Sequence, residues 1–154
     1  MSSVRKFQLD AQGDYRWERV DRLQYKAEGS APFKDITRQV LFNQPDQASE
    51  LRYFEVAPGG HSTLERHQHT HAVLILRGRG TVRIGTDVMD INERDLVTVD
   101  PLTWHQFHAA PDSALGFLCL VSKERDKPQL PSEVERSQLE RANAGLSESD
   151  RRQI

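Results

Sequence analysis

A single cysteine, Cys119, stands in the whole chain, so no intrachain disulfide can form and no cysteine-based zinc site can be assembled. No apolar run approaches the roughly 20 residues that span a bilayer. The opening Met-Ser-Ser-Val-Arg-Lys is not followed by an apolar signal core. An excess of charge is missing too: 21 Lys and Arg stand against 23 Asp and Glu, a net charge of −2. With no basic stripe, neither nucleic acid nor an anionic membrane is an expected partner. Hydrophobic residues make up only 36%, and much of the polar excess sits in the two ends. Internal repeats and low-complexity segments are lacking. These absences leave a soluble, cytoplasmic, single-domain protein as the expectation, since 154 residues can bury a real core.

What is present begins with a polar, irregular stretch, residues 1–36, carrying isolated aromatics at Phe7, Tyr15, Trp17 and Tyr25. It reads as an arm whose aromatics dock on a core, with one or two short strands. From Thr37 the pattern changes. Residues 37–42 and 51–56 are β-rich runs separated by Asn43-Gln44-Pro45-Asp46, and Pro58-Gly59-Gly60 then breaks the chain. Short strand signals follow at 72–76, 81–84, 88–91, 96–99, 104–109 and 114–121. The turn-forming groups Gly78-Arg79-Gly80, Gly85-Thr86-Asp87, Asn92-Glu93-Arg94-Asp95, Asp100-Pro101 and Pro111-Asp112 end them. Strands at that spacing without helices between them predict an all-β antiparallel sandwich or barrel over 37–126. The run 72–76 is apolar on both faces, which predicts the interior on one side and another sheet or subunit on the other. Residues 127–154 form a linker and a helical tail. Ser132-Glu133-Val134-Glu135 has the form of a capping box, and the helix is expected over 132–144, closed by Gly145.

The concentration of chemistry lies in Glu65-Arg66-His67-Gln68-His69-Thr70-His71. Four of the six histidines, 61, 67, 69 and 71, fall within eleven residues. Side chains two apart on an extended strand share a face, so Glu65, His67, His69 and His71 are placed to converge. Neutral imidazole with carboxylate is what a divalent metal binds. Alternating polar residues also suit a solvated face, and that is the reading for His61 and His108, expected on the surface or in turns.

A glycine-flanked histidine cluster in a small β-barrel resembles the cupin superfamily. That family's first motif runs glycine, five residues, His-x-His, three or four residues, glutamate, six residues, glycine. This chain gives Gly59, five residues, Glu65-x-His67, three residues, His71, six residues, Gly78. The intervals match while the ligand types at the two ends of the set are exchanged. Taking His67 and His69 as the family's pair would leave no acidic residue at the glutamate position. The second motif is matched by the stretch from Asp95 to Phe107, with His105 in the ligand place. Arg94 and Leu102 stand where the family has glycines, Asp100 where it has proline, and Ala109 where it has asparagine. The resemblance covers roughly residues 50–121. It implies a jelly-roll barrel holding one divalent ion (Fe, Mn, Ni, Co or Zn) on Glu65, His67, His71 and His105. The chain then turns near His69, an alternative ligand or a residue that orients its neighbours.

Phe107 shares the parity of His105, and Val73, Ile75 and Arg77 share that of His71. All four are expected in the substrate pocket, Arg77 at the barrel mouth. Trp104 is expected to pack outside. Arg52 and Tyr53 face opposite ways, so only one can face the pocket. Cys119, in the last strand, reads as a buried inert thiol. The favoured function is a mononuclear metal-dependent enzyme on a small polar molecule, oxygenase-type ahead of isomerase or lyase, because no separate acid or base stands apart from the ligands. The alternatives are a non-catalytic ligand-binding or metal-sensing module and a bare dimer scaffold. A homodimer is expected from strand 72–76.

Overall fold

Runs of β-branched and aromatic residues in alternation with polar ones dominate the chain from residue 34 onward, and they fold as strands. The computed structural model describes residues 2–24 and 34–150. Its elements are β1 (Phe7–Leu9), β2 (Tyr15–Trp17), β3 (Arg22–Gln24), β4 (Lys34–Phe42), β5 (Ser49–His61), β6 (His71–Ile84), β7 (Asp87–Asn92), β8 (Leu96–Val99), β9 (His105–Ala109), β10 (Leu115–Ser122) and α1 (Glu133–Asp150). The strands of the main sheet run β10-β6-β9-β5-β4-β3, β7 and β8 add to β6, and a β10–β5 pairing closes the sheet on itself. Every pairing in it is antiparallel. The result is the closed antiparallel barrel with a C-terminal helix that the sequence predicts.

Two glycine signals act differently from the expectation. Pro58-Gly59-Gly60 does not break the chain; it lies inside β5, in the stretch where the register against β4 jumps from Ile36↔Val56 to Lys34↔His61. The proline and glycines form a bulge, which bends a strand without ending it. Gly78-Arg79-Gly80 likewise ends nothing, because β6 runs through it. A Cβ on Gly78 would sit 1.8 Å from the carbonyl oxygen of Ala114, and one on Gly80 would sit 1.9 Å from that of His108. These glycines let β6 press against the backbones of its neighbours as it changes partners. Its first half pairs with β8 and β10, its second half with β7 and β9.

The inward faces supply the core, with Phe54, Val56, Val73, Ile75, Phe107 and Phe117 among its members. On the outer face two aromatics of the N-terminal stretch pack on Tyr53. Tyr15 stacks on Tyr53 at 5.9 Å between ring centroids, and Trp17 meets the same ring edge-on at 5.0 Å. The Nε2 of buried Gln39 donates to the carbonyl of Tyr15. Tyr25 lies outside the described residues. At the other end, the backbone N–H of Glu135 donates to Ser132 Oγ and that of Ser132 to Glu135 Oε2, the reciprocal capping box. The helix does not close at Gly145 but continues to Asp150. A glycine costs about 1 kcal/mol in a helix, which is not enough to stop one.

Arg94 and Leu102 stand where the resemblance places glycines, and both have positive φ, 75° and 57°. The turns are kept and the strain is carried by L-residues, at roughly 1–2 kcal/mol each. Two substitutions therefore move stability in opposite directions. Leu102→Gly, at a half-exposed side chain, raises it by about 1 kcal/mol by relieving that strain. Gly80→Ala lowers it by about 3 kcal/mol, because its contact is backbone and cannot swing away. Urea unfolding midpoints of the two variants against the parent check both signs.

Candidate metal centre

Between β5 and β6 the chain leaves regular structure, and the loop 62–70 is pinned by backbone bonds. Glu65 and His105 exchange N–H···O bonds of 3.2 and 3.0 Å, the N–H of Leu102 donates to His67 O at 2.7 Å, and Arg66 exchanges bonds with Gln129. His67 thus sits on a fixed loop, His71 at the first position of β6 and His105 at the first position of β9. All three side chains are buried. One nitrogen of each lies within 4.8 Å of one nitrogen of the other two, the one such cluster of three or more potential ligands among the described residues.

Their hydrogen bonds decide which nitrogen is available. His67 Nδ1 donates to the carbonyl of His69 at 2.8 Å, and His105 Nδ1 donates to that of Thr103 at 2.9 Å. A carbonyl only accepts, so both rings carry their proton on Nδ1 and keep a lone pair on Nε2. His71 Nδ1 meets Cys119 Sγ at 3.2 Å, and its Nε2 is buried without a partner. Burial holds the rings neutral: His71 is pushed down to about 2 and His105 to about 4, while His67 is lowered by burial and then by His69. Three neutral imidazoles with free Nε2 atoms, one of them orphaned in the interior, fit a divalent cation.

Glu65, the expected carboxylate ligand, stands outside the cluster of three as the side chains lie. Burial pushes its carboxyl up to about 7, against a smaller opposing pull from Arg52. His69 stacks parallel on His67 at 3.7 Å, and its Nδ1 faces Asp126 Oδ1 at 3.1 Å. The same carboxylate accepts the backbone N–H of Gln68. Val73, Ile75 and Phe107 are buried in the core beside the cluster. Arg77 is elsewhere. Its Nη1 bonds Glu55 and Asp14, and its guanidinium lies over Tyr15, under the arm. A register shift between Gly116 and Phe117 pairs Phe117 with Ile75 but Gly116 with Arg77, so parity flips after Ile75. Trp104 is covered by the Arg66 guanidinium at 4.4 Å. His61 and His108 face each other across β5 and β9, outside the cluster.

Two groups at the site were not read as site residues from the sequence. Cys119 is buried as expected, and burial raises its thiol, yet it touches His71 and lies 3.8 Å from Arg52 Nη2. Arg52, rather than Tyr53, faces inward. The parity of β5 and β10 held both facts; the meaning came only from the cross-strand register that pairs Arg52 with Cys119.

A closed antiparallel barrel around three buried convergent histidines defines a class of small β proteins with a built donor set. Within that class the chain belongs to the cupin superfamily, as a small type-2 cupin. The model of the Cupin domain matches residues 52–121. A curated protein of Rhodospirillum rubrum, 1-methylthio-D-xylulose 5-phosphate methylsulfurylase, is 59% identical over 128 residues, 83% of this chain and 82% of its own. A crystal structure of a cupin-2 domain from the same organism superposes with TM-score 0.79 at 55% identity, covering 87% of this chain and 92% of that one. A cupin 2 conserved barrel domain protein from Rhodopseudomonas palustris gives 0.80 at 47%, covering 90% and 93%.

The metal-free protein is expected to weaken in acid. Each histidine of the cluster has a folded pKa below its ordinary 6.5, so its contribution is complete above pH 6.5 and is lost as the pH falls. The unfolded chain takes up protons the folded one refuses, with a limiting slope of about 1.4 kcal/mol per proton per pH unit. Glu65 opposes this, since its raised pKa gives a contribution complete below 4.5 and lost through about 7. With three imidazoles against one carboxyl, the urea midpoint of chelated protein falls from pH 6.5 to 4.5, and His71→Ala reduces that fall.

Proposed function

We propose that this chain is a metal-dependent enzyme acting on a small phosphorylated ketose that carries a methylthio group. What supports the reading most is the set of three neutral imidazoles with free Nε2 atoms in a buried barrel. The substrate class follows the relative whose name states activity on 1-methylthio-D-xylulose 5-phosphate. His67, His71 and His105 hold one divalent ion (Fe, Mn, Ni, Co or Zn), with Glu65 the carboxylate donor when ionised and His69, held by Asp126, the orienting neighbour. When bound, the ion serves as a Lewis acid toward a carbonyl, as a ketose provides.

The remaining work falls to the chain. The apolar walls, Phe54, Phe107, Phe117, Val73 and Ile75, exclude water and suit a methylthio group. Cys119 is the one thiol in the chain and lies against the cluster; burial raises the thiol and Arg52 beside it opposes that rise, and it is assigned to the sulfur chemistry. Arg77, bound under the arm, takes no part in the pocket. A homodimer belongs to the same proposal. Leu74, Leu96 and Leu120 are exposed on one outer face, in neighbouring strands with Leu118 between them, and a monomeric solution mass would exclude that pairing.

Oxygenase-type chemistry is the second reading, favoured by donors that leave coordination positions open for O₂. Protein purified without chelator is expected to carry about one divalent ion per chain, and His71→Ala to lose most of it. Metal-loaded protein is expected to consume 1-methylthio-D-xylulose 5-phosphate anaerobically when a thiol is supplied, whereas Cys119→Ser keeps the metal and loses turnover at least ~10²-fold. O₂ uptake coupled to turnover would replace the first reading by the second. Binding without turnover would leave a non-catalytic module.

A further inference from the structure

Arg52 is the buried charge for which the metal centre has no use. It projects inward from β5, opposite Cys119 in the register, and is only 9% exposed. Its guanidinium lies 5.0 Å from the Phe54 ring centroid, and Nη2 lies 3.8 Å from Cys119 Sγ. Its Nε is buried without a hydrogen-bond partner. The nearest carboxylate oxygen, Glu50 Oε1, stands 3.6 Å from that Nε, too far for a hydrogen bond. The same oxygen is only 3.2 Å from Arg125 Nη2. One carboxylate therefore serves two guanidinium groups, and the cluster carries an excess positive charge.

Burying a charge without full compensation is unfavourable unless a partner arrives to meet it. Arg77 shows how this chain treats an arginine that serves only the fold, since Glu55 and Asp14 meet its charge and the Tyr15 ring covers it. Arg52 has an aromatic ring beside it and one carboxylate that it shares with Arg125, but no hydrogen bond to either oxygen of that carboxylate is made by its buried Nε. A planar guanidinium fork with a free N–H is matched in shape by a phosphate oxyanion, which it binds through paired N–H···O bonds.

We propose that Arg52, supported by Arg125, forms an oxyanion subsite beside the histidine cluster that takes the phosphate group of the substrate. The assignment rests on the reading of the barrel interior as the pocket for a phosphorylated molecule. It adds a residue that fixes which end of that molecule lies away from the ion. Glu50 is then a tether that keeps both guanidinium groups in place without neutralising them.

The test uses inorganic phosphate as the probe on metal-loaded protein, with binding read by calorimetry and by the shift in Tm. Wild type is expected to bind phosphate. Arg52→Gln is expected to keep its metal content and to lose phosphate affinity at least ~10-fold, and Arg52→Lys, which keeps the charge without the fork, to lose less. The comparison is repeated after chelation. Phosphate binding that survives Arg52→Gln, or that vanishes from wild type on chelation, would overturn the subsite. Should Arg52→Gln fail to fold, Arg52→Lys decides: unchanged phosphate affinity, and an unchanged KM, would count against the assignment. Phosphate binding needs no turnover, so a failure of the proposed reaction leaves this readout intact, and the two claims fail separately.

Discussion

The barrel depends on how closely β6 approaches the backbones beside it. Gly78 and Gly80 leave no space for a Cβ against Ala114 and His108, and at that point one continuous strand passes from β8 and β10 to β7 and β9. The first half of the strand begins with His71. The second half pairs with the strand that begins with His105. A bend permitted only by glycine thus brings two of the three imidazoles to one end of the interior, and the reciprocal backbone bonds between Glu65 and His105 bring the third. The chemistry of the site is in this sense a consequence of backbone packing.

The electrostatics follow from the same enclosure. Apolar walls keep the rings neutral, and backbone carbonyls of Thr103 and His69 fix which nitrogen bears the proton. What remains is a lone pair on Nε2 of His67 and of His105 beside the unpartnered Nε2 of His71, an arrangement that a cation completes. Beside it lies the opposite imbalance, two guanidinium groups sharing one carboxylate. A molecule with a polarisable carbonyl at one end and an anionic group at the other meets both demands at once, and the thiol of Cys119 lies between the two.

Much of this was legible in the sequence because intervals are robust. The spacing from Gly59 to Gly78 encodes loop length and strand parity, which bring His67 and His71 together, although Glu65 at a matching interval stands outside the cluster. The same glycines misled where a turn and a tight backbone crossing leave the same trace: Gly78-Arg79-Gly80 read as the end of a strand that in fact continues. Arg77 was placed by counting parity from His71, and the register shift beside Gly116 cannot be seen in a single strand's pattern. Arg94 and Leu102 stand where the resemblance places glycines, and both adopt the left-handed backbone that glycine would have taken. Arg52 and Cys119 lie 67 residues apart, and their pairing arises only when β5 closes on β10.

The most direct test of the account is anomalous diffraction from crystals of the protein loaded with a single divalent metal. One strong peak is expected at bonding distance from the Nε2 atoms of His67, His71 and His105, within about 2.3 Å of each. A peak bound through other groups, or no peak in that interior at full loading, would contradict the claim that these three imidazoles form the working centre of the barrel.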